Sequence, residues 1–336
     1  MHIIDIKLLI ELYDQPVLKK NIEILSKNGV KPSLAVVCTS NDPGSISYIK
    51  GIQQACDKYS IMIADYSADS IGDLERIILE INNRNDILAS IILYPTPYDI
   101  HDREFMNMLN MEKDVEGLHF TNLGYLVQFK KHLDPFGLRK LVIPPTSKGI
   151  LYIIKRYHLL FEMAFEKSGK YLFNYHENPF QLQGKKVTIV NDSLSVGKSL
   201  ALMMMNENAS VRVCQQYTDI QDIYHFTQFS DILVSAVPVS GWHIPSKYVS
   251  KNAIIFDIAF EGNFNYPEIY DQCFCIAPRW DETHKGNRIN DMTLTRLVSN
   301  TLYLANQMIP DGEIKKILQF QNEQLKLALN KHLTLL

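Results

Sequence analysis

KKVTIVNDSLSVGKSLALMMMN, residues 185–206, decides how the chain folds. Residues 185–190 form a short run rich in β-branched side chains, as a buried strand requires. The turn residues NDSLSVG follow, and 196–206 then reads as a helix. A strand that breaks through a polar turn into a helix is the opening unit of a nucleotide-binding domain. Working towards the C-terminus, further strands are expected at 211–214, 232–237 and 253–258, with a last apolar run at 273–277. That succession is the order of a doubly wound parallel sheet.

Working towards the N-terminus, the same plan recurs. Residues 32–38 (PSLAVVC), 61–64 and 89–94 are short apolar runs, the last closed by Pro95 and Pro97. Between them, 45–59 and 71–82 carry apolar residues at helical spacing, the second at Ile71, Leu74, Ile77, Ile78 and Ile81. Buried strands separated by amphipathic helices imply a parallel sheet covered on both faces, so the fold class is α/β with two domains. Two stretches look like additions. Residues 159–179 are rich in Phe and Tyr. The tail beyond Pro310-Asp311-Gly312 places Ile314, Ile317, Leu318, Leu325 and Leu329 on one stripe, suited to packing on its own domain or on a partner subunit.

The composition narrows the function classes. With 336 residues the chain is long enough for two cores, and 46% hydrophobic with 21% charged residues is a globular profile. A net charge of -3 argues against a non-specific nucleic-acid binder. The N-terminal MHIIDIKLLIELYDQ has acidic residues close in and no small-residue cleavage site, so a cytoplasmic protein is expected. No apolar run reaches the length of a membrane span. The five cysteines show no C-x-x-C spacing and the histidines no H-E-x-x-H, so buried thiols and no metal are expected.

Five short motifs, in order, carry a resemblance: SNDPGSISYIKGI at 40–52, LYPTP at 93–97, KDVEGLHFTNLG at 113–124, PPTSKG at 144–149 and NDSLSVGKS at 191–199. They resemble the G-D-x-P-A-S-x-x-Y-V-x-x-K, Q-L-P-L-P, K-D-V-D-G-F-H-x-x-N-x-G, P-C-T-P-x-G and G-A-S-x-x-V-G-x-P segments of the bifunctional methylenetetrahydrofolate dehydrogenase/cyclohydrolase family. The resemblance spans about two thirds of the chain, from Pro32 to Lys148 and from Gly184 to Leu302. It implies an N-terminal α/β catalytic domain completed by a C-terminal helix, with a Rossmann-like doubly wound nucleotide-binding domain between. The expected boundaries are 1–140 plus 293–336 for the first and 141–292 for the second. It also implies a homodimer.

The family oxidises the methylene bridge of 5,10-methylenetetrahydrofolate with a nicotinamide cofactor, then hydrolyses the methenyl product. Tyr48 and Glu116 stand at its catalytic positions, the second as glutamate where the family has aspartate. Ile52 replaces the lysine that lies one helical turn after the tyrosine, and Leu93 replaces its glutamine partner. Lys50 is close in sequence but roughly 200° around a helix from Tyr48, so it does not take the lysine's place. An isoleucine carries no proton, so loss of the cyclohydrolase step is expected. Ile52, Leu93, Pro95, Met292 and Thr293 are expected to line the substrate pocket. The family's glycine-proline loop P-V-P-G-G-V-G-P-M-T becomes APRWDETHKGNRINDMT, residues 277–293.

For the cofactor, NAD or NADP, the expected turn residues are Asn191, Asp192, Ser193, Val196, Gly197 and Lys198. Asn191 replaces a glycine, and because asparagine tolerates left-handed backbone better than most residues the turn is expected to persist. Asp192 stands where some members place a base against the 2′-phosphate, which favours NAD, with Lys198 as a counterweight. The function expected is hydride transfer between a nicotinamide and a folate or other imine-type carbon–nitrogen substrate. A non-catalytic binding or scaffolding protein on the same fold is the alternative, and a full bifunctional enzyme with relocated residues a third.

Overall fold

The computed structural model describes residues 3–98, 102–279 and 288–336. They form two compact units, one of Asp14–Pro145 with Leu294–Gln324, the other of Met1–Tyr13, Thr146–Thr293 and Leu325–Leu336.

The first unit is built on three parallel strands, β1 (Ser33–Cys38), β2 (Met62–Ser67) and β3 (Ala89–Ile92), in the order β2-β1-β3. Successive side chains of a strand point to opposite faces, so central β1 feeds two cores. Leu34 and Val36 join Ile52 and Cys56 of the helix Pro43–Lys58 and Leu297, Val298 and Leu302 of the helix Ile289–Ala305. Ala35 and Val37 join Leu74, Ile77, Ile78 and Ile81 of the helix Ile71–Asn83. Both crossover helices start where capping chemistry directs: the Asp42 carboxylate accepts from the Gly44 and Ser45 amides, with Pro43 in the first turn, and Ser70 Oγ accepts from Asp73 N.

The returning helix Ile289–Ala305 does more than fill the core. Asn300 is completely buried and its Nδ2 donates to the carbonyls of Val115 (2.9 Å) and Ile143 (3.0 Å). Those two segments touch beside it. Gly117, at φ +67°, lies so near Val142 that a Cβ there would sit 2.4 Å from the Val142 carbonyl oxygen. Arg296 of the same helix forms a buried ion pair with Asp14.

The second unit holds five parallel strands, β4 (Lys186–Val190), β5 (Ser210–Cys214), β6 (Ile232–Ser235), β7 (Ile254–Asp257) and β8 (Cys275–Ala277), in the order β5-β4-β6-β7-β8. The order reverses between β4 and β6, which is where open α/β sheets form a ligand crevice beyond the strands' carboxyl ends. One face of the sheet packs Ile189, Val234 and Phe256 against the helix Pro145–Ser168, and the other packs Val190, Leu233 and Ile255.

Four expectations are corrected. Residues 159–168 are the last turns of the helix Pro145–Ser168 rather than an addition, and Phe161 is fully buried against Phe180 and Phe274 in an aromatic core. Residues 3–13 group with the nucleotide-type sheet, not the catalytic one, because Ile4 N bonds Ile276 O at 2.9 Å and Ile4, Ile6 and Leu9 enter that core. The terminal helix Asp311–Leu335 is shared: Ile314 and Ile317 pack in the first unit, Ala328 in the second. Met292 is buried in the second unit's core, so it is a packing residue and not a pocket wall.

Replacing Asn300 by the similarly sized leucine removes the donor from the buried Val115 carbonyl and the half-buried Ile143 carbonyl, which costs about 2–4 kcal/mol. Urea unfolding of Asn300→Leu is expected to show a loss in that range. A change under about 0.5 kcal/mol would mean water replaces the amide.

Candidate active site

In the first unit the expected catalytic residues meet around a loop organised by Asp114. This carboxylate is 4% exposed and is met by four donors: Oδ1 accepts from the amides of Glu116 (3.1 Å) and Gly117 (2.9 Å), Oδ2 from His119 N (2.7 Å) and Asn122 Nδ2 (3.2 Å). The loop therefore has one conformation, and it carries Glu116. Burial pushes the Glu116 carboxyl up to about 8, and the neighbouring Asp114 adds to the shift. At neutral pH Glu116 is mostly a protonated acid and not the anion its residue type suggests. Burial first, then the Glu116 charge, raises the hydroxyl of Tyr48 well above the usual tyrosine range. Tyr94 is raised by the same two causes, with Asp114 and Asp102 contributing.

Tyr48, Tyr94 and Glu116 thus share one neighbourhood. Tyr94 was missed in the sequence, although it lies within LYPTP. Its buried hydroxyl has no hydrogen-bond partner among the described residues, which is the sign of a group awaiting one. Pro95 follows it across a cis peptide bond, at the exposed carboxyl end of β3.

Ile52 and Leu93 are elsewhere in character. Ile52 is 0% and Leu93 7% exposed, both inside the cluster with Val115 and Leu297 against which Tyr48 packs. They are core residues beneath the tyrosine rather than a pocket wall. Thr293 is also buried, its hydroxyl turned to Ile289 O in its own helix. Of the segment 277–293, residues 280–287 lie outside the described residues.

In the second unit the turn after β4 is held by Asn191. Its Oδ1 accepts from Ser193 N (3.0 Å), Ser193 Oγ (2.7 Å) and Gly197 N (3.0 Å), while its Nδ2 donates to Ala236 O beyond β6 (2.9 Å). The side chain bridges the point where the strand order reverses. Asn191 is not among the residues with positive φ, so hydrogen bonding and not left-handed tolerance explains it. Ser193 caps the following helix through Val196 N, at 3.2 Å. Gly197 is required by contact: a Cβ there would stand 1.9 Å from the Asn191 carbonyl oxygen. Asp192 and Lys198 pair with each other across 4.0 Å on the surface, so neither charge acts alone.

The turn fits a dinucleotide in shape, with a tight glycine approach and a helix start whose first amides lack intrahelical acceptors. It differs in that Asn191 takes two amides a glycine would leave open. Beyond the neighbouring strands, Asp257 is buried and pushed up to about 6 by burial; it accepts from Asn263 N and Tyr266 Oη, and Asn263 Oδ1 in turn accepts from Ser235 Oγ and Val237 N. This network fixes the loops after β6 and β7, and nothing in the residue spacing announces it.

Two family descriptions match the chain: the catalytic domain of tetrahydrofolate dehydrogenase/cyclohydrolase over residues 5–116, and its NAD(P)-binding domain over 172–309. The chain belongs to this family. It is 30% identical over 317 residues to the bifunctional protein FolD of Methanosarcina mazei, covering 91% of this chain and 97% of that one. To FolD of Bacillus licheniformis it is 27% identical over 303 residues, covering 87% and 93%. The fold is similar to the NAD-dependent 5,10-methylenetetrahydrofolate dehydrogenase of Saccharomyces cerevisiae, with TM-score 0.72 and 20% identity over 89% of this chain and 95% of that one. It is similar also to FolD of Trypanosoma brucei, solved with NADP cofactor and inhibitor, at TM-score 0.71 and 17% identity over 91% and 97%. The three-strand unit is thus the family's catalytic domain and the five-strand unit its NAD(P)-binding domain.

The elevated Glu116 fixes a sign. Between the unfolded carboxyl value of 4.5 and about 8, the folded chain holds a proton the unfolded chain has lost. Stability is therefore fully present below 4.5 and declines as pH rises through that window. Glu116→Gln is expected to remove this decline, gaining roughly 2–4 kcal/mol over the parent at pH 8 relative to pH 4.5. Parallel denaturant curves at the two pH values check it; identical slopes for both proteins would place the Glu116 carboxyl in water.

Proposed function

We propose that this family member transfers a hydride between a nicotinamide cofactor and a folate or other imine-type carbon–nitrogen substrate, with the hydrolytic cyclohydrolase step lost. The observation that carries it is Ile52, fully buried where the resembled motif has its proton-handling lysine. Hydride transfer depends chiefly on holding donor and acceptor carbons in register and survives that loss; hydrolysis needs a group that moves a proton. When bound, the nicotinamide supplies the hydride chemistry. The chain's own contribution is to hold it along 191–198 and to present Tyr48, Tyr94 and protonated Glu116 to the substrate. Glu116 then acts as a hydrogen-bond donor to a ring nitrogen or carbonyl. A cationic iminium beside it would instead favour the ionised carboxylate, the proton passing to solvent.

NAD is the cofactor we favour, because Asp192 adjoins the turn and offsets Lys198. A homodimer is proposed from the family resemblance. The second reading, a non-catalytic binding protein, is favoured by Asn191, whose carboxamide occupies amides of the dinucleotide turn.

Purified protein given 5,10-methylenetetrahydrofolate is expected to reduce NAD, and methenyltetrahydrofolate is expected to decay no faster than in buffer. Hydrolysis at an ordinary family rate would overturn the loss. Absence of both turnover and calorimetric NAD binding would favour the binding-protein reading. Ile52→Lys alone should not restore hydrolysis, since it buries a charge without Leu93→Gln beside it.

Asp192→Ala is expected to narrow the gap between NAD and NADP affinity by up to about 1 kcal/mol, the scale of one exposed charge pair. Calorimetry with both cofactors reads this. Tighter NADP binding in the parent protein would show that Lys198 outweighs Asp192.

A further inference from the structure

We propose that the catalytic domain carries a second small-molecule site, apart from the Tyr48–Glu116 cluster, for a planar aromatic acid with an N–H or O–H donor opposite its acidic group. The site is a cavity of about 220 Å³ formed by residues of the 111–142 stretch and by 303–318 of the returning helices. That volume is below the range of drug-sized pockets, roughly 300–1,000 Å³, and suits a fused bicyclic ring.

Three features define the ligand. The floor is apolar, with Val142, Leu304 and Ile317. Asn306 also lines it, is only 6% exposed, and its amide oxygen has no hydrogen-bond partner among the described residues. A buried carbonyl left so costs about 1–3 kcal/mol, a cost that a ligand's donor removes.

The mouth is cationic and aromatic. Lys140 Nζ stands 5.2 Å from the centroid of the Tyr303 ring and donates to Gln321 Oε1, and exposed Arg139 lies beside it. On the same loop Lys130 and Lys131 lie over the Tyr125 and Phe129 rings, at 4.3 and 4.4 Å. Two carboxylates also line the cavity. Asp134 is engaged by the amides of Phe136, Leu138 and Arg139, and Glu112 is exposed at the rim. Along the lining Arg139 and Lys140 balance these two carboxylates, and Lys130 and Lys131 of the same loop, outside the lining, tip the surrounding field to positive, so the outer end of the ligand is an anion.

Titration calorimetry of the full chain with indole-5-carboxylate tests this. We expect a dissociation constant below about 1 mM. Blocking the donor with 1-methylindole-5-carboxylate should weaken binding about tenfold, as should Asn306→Leu, and the two effects should not add. Lys140→Gln should weaken it several-fold, and Glu116→Gln should leave it unchanged. The methylated probe acts on the unaltered protein, so the test stands even where Asn306→Leu fails to fold. No heat with the parent protein overturns the proposal. So does binding that ignores both the methyl group and Lys140→Gln, or binding that Glu116→Gln abolishes.

Discussion

A buried carboxylate with four donors is the constraint on which the catalytic domain depends. Asp114 gains its place only because the backbone of 116–119 folds around it, and Asn122 reaches back from the next helix. An ionised group so far from water is tolerable only when every lone pair is met. That condition holds the loop in place and brings Gly117 against the Val142 carbonyl, with Glu116 near enough to the tyrosines for its charge to be felt there. Glu116 pays the electrostatic cost: half-buried and beside the Asp114 carboxylate, its carboxyl is pushed up to about 8.

The NAD(P)-binding domain uses the same device with the opposite polarity. Asn191 offers a carbonyl to two turn amides and a donor to the neighbouring strand end, so the turn is complete without any ligand. In the catalytic domain the organising side chain stands behind the site. In the nucleotide domain it stands in it. A dinucleotide must meet the helix start further along or displace a carboxamide already satisfied, and this is the physical root of the tension between the enzymatic and binding readings.

Paired replacements elsewhere point to repacking that keeps the fold intact. Ser147 and Ser199 occupy positions that are proline in the resembled motifs, and their hydroxyls bond one another at 2.7 Å with no exposure of either residue. Ser147 Oγ also reaches Val196 O at 3.0 Å, tying the helix Pro145–Ser168 to the dinucleotide turn. Ile52 and Leu93 follow the same logic in apolar form. Two side chains that would have to be polar together have become apolar together and joined one core, so neither is left burying an unpaired partner.

Much of the architecture was already legible along the chain. The period of the apolar residues fixes strands and helices locally, because a buried strand and an amphipathic helix each show their pattern within a dozen residues; β1, β4 and the helix Ile71–Asn83 fall where that pattern puts them. The motif order likewise determined the family, and Tyr48, Glu116 and the 191–198 turn as its candidate sites. What the tertiary structure alone decided concerns pairings between residues far apart in sequence. Whether Ile52 lines a pocket or a core depends on Leu297 and Val298, nearly 250 positions away. The N-terminal segment joins the second sheet because Ile276 offers an edge, and Glu116 is neutral because Asp114 and burial make it so. Burial and field are sums over neighbours in space, and no local pattern of residue types carries that sum.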